Sequence, residues 1–339
     1  MTKGFHGEMC VLTEKVGLGL IGLGYIGKVH LRHCLNLKSA RLIAVSDISK
    51  RALDFAEKMG VRNTSTDYHT LLGNSEIDAV VITLPTHLHA SCARSAAEAG
   101  KDVFVEKPLA REMKEGTELV STARRNGVKL MVGYDMRFSP LFVNLRRKTR
   151  SGVLGEVQIA YATNIGAGPF FHRASLGIPK PVPTWWFRKD LAGGGALMDL
   201  GVHMINLLRW YFGEIVDIRS YLGYRYDLEV EDKATCITRF ASGQIGIINV
   251  GWFSQESQKK IELLGTVRHA VACRTPENRI LAAIKMIVGS STQYESTYFR
   301  ELQHFVSCII HDSEPCTSGD DALRDLEIVS KAYKNKHLP

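Results

Sequence analysis

The chain has 339 residues, 45% of them hydrophobic and 23% charged, which is typical of a globular protein with two domains. Its formal net charge of +8 suits an anionic ligand such as a dinucleotide, a sugar phosphate or a nucleotide sugar. The basic residues are scattered and no predicted helix carries a basic stripe, which argues against a nucleic-acid partner. No apolar run reaches membrane-spanning length, so the sequence predicts no membrane partner.

The seven cysteines are widely spaced and form no CxxC pair. This pattern argues against disulfides and thiolate metal sites, and we expect no metal in this protein. Residues 1–15 contain charged side chains and no apolar stretch of leader length. We interpret them as an N-terminal extension of a cytoplasmic protein.

Residues 16–135 alternate between apolar strand patterns and helical patterns. Such an alternation predicts a doubly wound α/β domain, with a parallel sheet covered by helices on both faces. The predicted strands are 16–21, 42–46, 79–84, 102–105 and 129–132, and the predicted helices are 26–37, 49–59, 87–99 and 112–125.

Residues 136–339 have a different pattern, which predicts an α+β domain with an open, mainly antiparallel sheet backed by helices. Proline is concentrated in 166–183, which indicates a long irregular loop. A single helix is predicted over 195–212, and two more over 297–310 and 320–334. The predicted strands are 216–226, 232–240, 244–252, 260–264 and 267–274.

The first candidate site is the G-x-G-x-x-G pattern GLGYIG, which follows the first strand and opens the first helix. Gly22 permits a tight turn, Gly24 lets the backbone approach a pyrophosphate, and Gly27 permits close helix packing. We expect these glycines, with Tyr25 and Ile26, to bind a dinucleotide at the helix N-terminus. The structural alternative is a glycine turn without a ligand.

Asp47 ends the second strand twenty residues after Gly27. A carboxylate there can accept hydrogen bonds from both ribose hydroxyls and repel a 2′-phosphate, which favours NAD over NADP. Lys50 and Arg51 follow closely and could hold that phosphate, so NADP stays open.

Two further motifs follow the strands predicted over 79–84 and 102–105, at the sheet edge where ligands bind in such folds. In the first, Thr83, Pro85 and His89 are candidate cofactor contacts, although its histidines could simply begin a helix. In the second, Glu106 and Lys107 precede a proline and are also candidate cofactor contacts, and we expect a nearby nicotinamide to lower the pKa of Lys107. The structural alternative is a turn in which Glu106 pairs with Lys107.

The fourth motif is the glycine-rich start of the helix predicted over 195–212. Asp199 and His203 are four residues apart and share one face of that helix. Asp199 could orient the imidazole while His203 exchanges a proton with a substrate hydroxyl. The alternative is a pair that only stabilises the helix.

Taken together, these motifs resemble the Gfo/Idh/MocA oxidoreductases, which include inositol dehydrogenases, glucose–fructose oxidoreductase and nucleotide-sugar 3-dehydrogenases. The matching segments are GLGYIG (22–27), Asp47, TLPTHLH (83–89), EKP (106–108), GGGALMDLGVH (193–203) and SGDDALRDLEIVSKAY (318–333).

The resemblance implies a Rossmann domain over 16–135 and a substrate and oligomerisation domain over 136–339. It implies that His203 is the general acid/base, that Lys107 assists and holds the hydroxyl, and that Asp199 binds a substrate hydroxyl or positions His203. It also implies that the second sheet makes subunit contacts in a homodimer or homotetramer.

The resemblance extends less closely to the remaining substrate contacts. Trp186 and Arg188 only approximate a Trp–Arg pair of the family's long loop, because Phe187 intervenes. The family often has an asparagine and two arginines before a phenylalanine after the sixth strand. Here that stretch is GYDMRF (133–138), and Arg137 is the remaining candidate substrate contact.

The leading hypothesis is therefore an NAD(P)-dependent dehydrogenase that moves hydride between nicotinamide and a ring carbon of a sugar, inositol or nucleotide sugar. One alternative is an NAD-dependent glycosidase that oxidises its substrate transiently. The other is a dinucleotide-binding redox sensor without catalysis, although a sensor would not need Lys107, Asp199 and His203 together.

Overall fold

The computed structural model describes residues 15–170, 183–274 and 296–337, which form two β-sheets with helices packed around them. The predicted fold class, a doubly wound parallel sheet followed by an α+β unit with an open sheet, is confirmed. The predicted extension 1–15 lies outside the described residues except for its last position. The boundary between residues 135 and 136 stays a prediction.

The first sheet has six parallel strands in the order β3-β2-β1-β4-β5-β6. All residues of β1, β4 and β6 are buried, which explains why their sequences are continuously apolar. The order reverses between β1 and β4, and a doubly wound sheet binds its ligand beyond the strand ends at such a point. The strands are β1 Val16–Ile21, β2 Ala40–Ser46, β3 Asn63–Ser65, β4 Ala79–Ile82, β5 Asp102–Glu106 and β6 Leu130–Gly133.

Helices connect these strands and a short helical turn at Asp135–Phe138 follows the last one. The helices are α1 Tyr25–Asn36, α2 Lys50–Lys58, α3 His69–Leu72, α4 Thr86–Glu98, α5 Met113–Arg125 and α6 Pro140–Arg150.

The second sheet has seven strands in the order β12-β11-β7-β10-β9-β8-β13. Most neighbours are antiparallel, but β7 pairs with β10 and β8 with β13 in parallel. The sequence had no prediction for β7 or β13. The strands are β7 Val157–Ile165, β8 Ile215–Gly223, β9 Lys233–Phe240, β10 Ile245–Gly251, β11 Gln258–Gly265, β12 His269–Arg274 and β13 Lys336–His337.

One face of the second sheet packs on the helical segment that carries Asp199 and His203. Sequence predicted one helix here, but a π-helical turn over Leu197–Gly201 leads into α8, Val202–Phe212. The buried Glu231 carboxylate accepts the backbone N–H groups of Gly195 and Leu197 at the start of the segment. Within the described chain, the stretch Lys189–Phe212 is long and apolar enough to cross a membrane, yet 78% of its apolar window is buried in the protein core.

The loop predicted over 166–183 lies largely outside the described residues, which resume at residue 183. Short helical turns at Gly168–Phe170 and Thr184–Phe187 flank the gap, and α7, Lys189–Ala192, follows.

The last two helices are α9, Thr297–Ile310, and α10, Gly319–Lys334. The apolar face of α9 packs against β1 and α1 through Leu302, Phe305 and Val306, so it completes the core of the first sheet. This helix therefore packs on the first sheet although it follows the second sheet in sequence. The predicted division into 16–135 and 136–339 did not include this contact.

Candidate active site

The glycine-rich turn joins β1 to α1 at the reversal point of the first sheet. Gly22 has φ +94°, a left-handed conformation that favours glycine. A Cβ at Gly27 would lie 2.1 Å from the Gly22 carbonyl oxygen, so α1 approaches the turn as closely as glycine permits. A Cβ at Gly24 would meet nothing within 4 Å, which leaves open space beside the first turn of α1. The exposed Tyr25 and half-buried Ile26 border this space.

Asp47, directly after β2, is hydrogen-bonded to the glycine-rich turn. Its Oδ2 accepts the Leu23 backbone N–H at 2.6 Å, and its Oδ1 accepts the Ser49 N–H at 2.7 Å. The carboxylate thus lies beside the glycine turn, while Lys50 and Arg51 are exposed at the start of α2.

The segment that follows β4 is hydrogen-bonded to the same glycine-rich turn. The Thr83 hydroxyl donates to the Gly22 carbonyl oxygen at 2.7 Å, and Pro85 precedes the first turn of α4. His89 is buried, with its two ring nitrogens 2.8 Å from the Pro108 carbonyl oxygen and 2.7 Å from that of Leu84. The His89 ring therefore joins the two strand-end motifs, and its contact with the cofactor stays a prediction.

Lys107 and Asp199 bring the two sheets together. The Lys107 ammonium lies 2.6 Å from Asp199 Oδ1 and also donates to the Asp199 carbonyl oxygen at 3.1 Å. The second carboxylate oxygen, Oδ2, accepts the indole N–H of Trp252 at 3.1 Å. Burial disfavours the charged ammonium, but the Asp199 carboxylate outweighs it and holds the pKa of Lys107 above its ordinary value. The lowering of this pKa by a bound nicotinamide stays a prediction.

His203 lies one helical turn beyond Asp199 and is 7% exposed. Burial lowers the pKa of His203 well below its usual value, and the charges of Lys107 and Lys259 lower it further. The imidazole is therefore neutral at neutral pH and able to accept a proton. No hydrogen bond or ion pair joins Asp199 to His203, so the interpretation that Asp199 orients the ring is wrong. The carboxylate near His203 is Asp135, 4.0 Å from Nδ1.

Comparison with known proteins gives matches along most of the chain. Residues 16–134 match the family model described as an oxidoreductase family with an NAD-binding Rossmann fold, and residues 142–270 match the GFO/IDH/MocA C-terminal domain. An inositol 2-dehydrogenase of Acidothermus cellulolyticus is 30% identical over 307 residues, covering 86% of this chain and 84% of the relative. The chain belongs to the Gfo/Idh/MocA family.

Two further relatives extend the comparison over nearly the full length. A myo-inositol 2-dehydrogenase of Thermotoga maritima is 26% identical over 336 residues, covering 94% of this chain and 95% of the relative. The crystal structure of GenD2 from gentamicin A biosynthesis, in complex with NAD, superposes with a TM-score of 0.83. It covers 98% of this chain and 97% of GenD2, at 24% identity. The family membership makes this Gfo/Idh/MocA protein an NAD-dependent oxidoreductase.

The glycine turn of this family member fits the dinucleotide that the family binds. The space beside Gly24 lies at the N-terminal end of α1, where free backbone N–H groups favour a pyrophosphate. No side chain caps that helix end, so a ligand can use those donors.

Three residues predicted as ligand contacts lie in other surroundings. The Glu106 carboxylate lies 2.7 Å from the buried His30 ring, and its charge also helps to raise the pKa of Lys107, while its contact with the cofactor stays a prediction. Arg137 is buried, where it pairs with Asp321 at 2.7 Å and donates to Asn206, and its contact with the substrate stays a prediction. Arg188 is exposed and pairs with Asp190 at 2.8 Å.

Trp186 reaches the site indirectly. Its ring packs edge-on against Trp252, with centroids 6.3 Å apart, and Trp252 in turn bonds Asp199. Trp186 thus packs against Trp252, and Trp252 holds the Asp199 carboxylate that pairs with Lys107.

Sequence reasoning missed Asp135, Trp252 and Lys259. Asp135 had a visible signal, because it stands where the family often has asparagine. Lys259 is one of two adjacent lysines in β11, and alternation alone does not say which of them faces the crevice. Burial lowers the pKa of Lys259, and its charge acts on His203.

Proposed function

We propose that this protein oxidises a ring hydroxyl of a sugar or inositol to a ketone, or reduces the ketone, with Lys107, Asp199 and His203 as its catalytic residues. The observation that carries the proposal is the 2.6 Å contact between Lys107, directly after β5, and Asp199, in the π-helical turn that packs on the second sheet, beside a buried neutral His203. Bound NAD supplies the hydride acceptor.

Each of the three residues has a distinct task in this proposal. In the oxidation direction His203 takes the hydroxyl proton as the C–H hydride leaves for the cofactor, so a C=O bond forms. Lys107 donates a hydrogen bond to the reacting oxygen. Asp199 keeps Lys107 charged and in position, and it is itself held by Trp252.

The proposed substrate class follows the relatives and the charge of the chain. Two of the relatives above are inositol 2-dehydrogenases, which supports a polyol or hexose ring. The net charge of +8 and the lysines of the crevice also suit a phosphate-bearing or nucleotide-linked sugar.

We propose that Gly22, Gly24, Tyr25, Ile26 and Gly27 bind the cofactor, with Thr83 and Pro85 lining the turn. Asp47 would accept the ribose hydroxyls and select NAD over NADP. We further propose that Trp186 and Arg188 border the substrate.

The proposed assembly is a homodimer or homotetramer in the cytoplasm, with no nucleic-acid or membrane partner. The six described cysteines are free thiols, as a reducing compartment requires. The face of the second sheet away from α8 has exposed aliphatic and aromatic side chains, which suit a second copy of the chain.

The test is a panel of inositols, aldoses and UDP-sugars, assayed for NADH and NADPH formation by absorbance. Turnover of a ring alcohol that is lost in His203→Gln, while NAD binding is kept, supports the proposal. Cleavage of a glycoside without net NADH would favour the glycosidase instead. NAD binding with no turnover of any compound would favour the sensor.

A further inference from the structure

His203 has a ring nitrogen with no hydrogen-bond partner in the described protein. This nitrogen, Nδ1, is fully buried, and the whole side chain is 8% exposed. A buried imidazole N–H normally has an acceptor, because an unpaired donor in the interior loses its hydrogen bonds to water without a replacement. The Asp199 carboxylate cannot serve, since its two oxygens face Lys107 and Trp252.

Asp135 is placed to be that acceptor. Its Oδ1 lies 4.0 Å from His203 Nδ1, and both side chains are buried. The other carboxylate oxygen, Oδ2, accepts the Thr297 hydroxyl at 2.8 Å, so the group is held from α9 and presents Oδ1 to the imidazole. Asp135 begins the turn after β6, on the sheet edge where Lys107 also lies.

We infer that Asp135 is the positioning residue for His203: it accepts the Nδ1–H, fixes that tautomer and leaves the Nε2 lone pair for the substrate hydroxyl. This inference rests on the proposed function. The distance of 4.0 Å is longer than a hydrogen bond, and a small rotation of either side chain shortens it. Hydrogen bonds of this kind often tighten when substrate binds.

The proton step then balances without a further group. The substrate hydroxyl gives its proton to Nε2 while its carbon gives hydride to NAD, and His203 becomes an imidazolium. Asp135 stabilises that charge as an unprotonated carboxylate, as the acid of a Ser-His-Asp triad does. Because the ring is desolvated and next to two lysines, an adjacent negative charge has a large effect on its basicity.

Several charged and titratable groups surround the imidazole. They are Lys107 at the end of β5, Tyr134 and Asp135 after β6, Asp199 in the π-helical turn and Lys259 in β11. Without the negative charge of Asp135, the positive charges of Lys107 and Lys259 act on His203 with less opposition. The pKa of His203 then falls, and the acidic limb of kcat/KM moves to lower pH while the maximal rate also falls.

The decisive measurement is the tautomer of His203 in NAD-saturated protein with ¹⁵N-labelled histidine. Long-range ¹H–¹⁵N spectra separate the two tautomers, and His203→Gln assigns the signals. We expect Nδ1–H in the wild type, Nε2–H in Asp135→Asn, because the amide can donate to Nδ1, and Nδ1–H again in Asp135→Glu. An unchanged tautomer in Asp135→Asn overturns the inference. If Asp135→Asn does not fold, Asp135→Ser gives the same comparison, with loss of a uniform Nδ1–H tautomer expected.

Kinetics with the substrate found in the panel add a second readout. We expect Asp135→Asn to lower kcat about a hundredfold to ten-thousandfold with little change in KM, and Asp135→Glu to recover part of it. Full activity in Asp135→Asn overturns the inference even if the tautomer changes. If the tautomer switches in Asp135→Asn but the protein oxidises no ring alcohol, the inference that Asp135 positions His203 holds and the proposed function is refuted instead.

Discussion

At the scale of single residues, the site depends on one ion pair that is almost enclosed. Lys107 and Asp199 have side chains only 18% and 15% exposed, so each charge is costly without the other. The same low dielectric that makes the pair strong makes the neighbouring His203 neutral. A single desolvated crevice thus supplies a fixed ammonium and a free base side by side.

Replacing Lys107 with methionine tests this pair. We expect turnover to fall about a hundredfold to ten-thousandfold while NAD affinity is kept, because only the reacting oxygen loses its donor. The variant should also be less stable, since Asp199 is left buried and unpaired. Adding Asp199→Asn should restore the stability but not the turnover, as followed by thermal unfolding and steady-state rates.

Lys129→Met is the matched control, because Lys129 forms an ion pair with the exposed Asp312 outside the crevice. It should leave turnover unchanged. Equal turnover in Lys107→Met and the control would remove Lys107 from the proposed machinery.

Two glycine substitutions separate folding from cofactor binding. Gly27→Ala puts a methyl group against the Gly22 carbonyl oxygen, so we expect a loss of stability on the order of 1–3 kcal/mol together with weaker NAD binding. Gly24→Ala meets no protein atom within 4 Å. Its stability should therefore equal that of the wild type, while its methyl group obstructs the pyrophosphate.

Calorimetric titration with NAD and urea unfolding of both variants measure the two effects. Wild-type NAD affinity in Gly24→Ala would mean that the open space beside the turn is not the cofactor site.

At the scale of secondary-structure elements, five of the six strands of the first sheet could be predicted because they are mostly apolar, whereas the short polar β3, Asn63–Ser65, was missed. β7 was not predicted, because its buried face carries the small or polar Ala160, Ala162 and Asn164 and its sequence therefore shows no strong apolar alternation. The π-helical turn at Leu197–Gly201 also has no signature in side-chain spacing. The motifs located the elements that carry the proposed catalytic residues, but Asp199 contacts Lys107 because of packing between the two halves of the chain, which no local pattern encodes.

The contact between α1 and α9 predicts a pH dependence of stability. His33 on α1 lies 2.9 Å from the Ser296 hydroxyl at the start of α9, and burial, followed by the charges of His30 and Arg32, lowers its pKa to about 4. In the unfolded chain the pKa of His33 has its ordinary value of 6.5. As pH falls from 6.5 towards 4, His33 becomes protonated in the unfolded chain but stays neutral in the folded protein. The free energy of unfolding must therefore decrease.

Urea unfolding across this pH range measures the decrease, and His33→Gln should reduce its slope while keeping a polar contact with Ser296. His269→Gln, at an exposed position on β12, is the control and should leave the slope unchanged. Identical slopes in the wild type and His33→Gln would show that other groups carry the pH dependence.

At the scale of the whole molecule, the second sheet has two different faces. One packs on α8 and completes the active site. On the other face, strand register aligns a row across six strands that includes four apolar side chains. From β8 to β12 the row is Arg219, Ile237, Ile247, Tyr161, Glu262 and Val271. Ile237 and Val271 are about half exposed in the single chain, at 49% and 53%.

A second copy of the chain covering this face would remove those side chains from water, at about 25 cal/mol per Å² of apolar surface. We therefore expect the double substitution Ile237→Arg and Val271→Arg to dissociate the oligomer, because two charges would be buried without partners. Sedimentation velocity should give a single species of 37.7 kDa for the variant and a larger one for the wild type. Met59→Arg, an exposed apolar position in the first domain, should leave the assembly intact. A wild-type protein that sediments as a monomer, or a double variant that stays assembled, would exclude this face as the subunit interface.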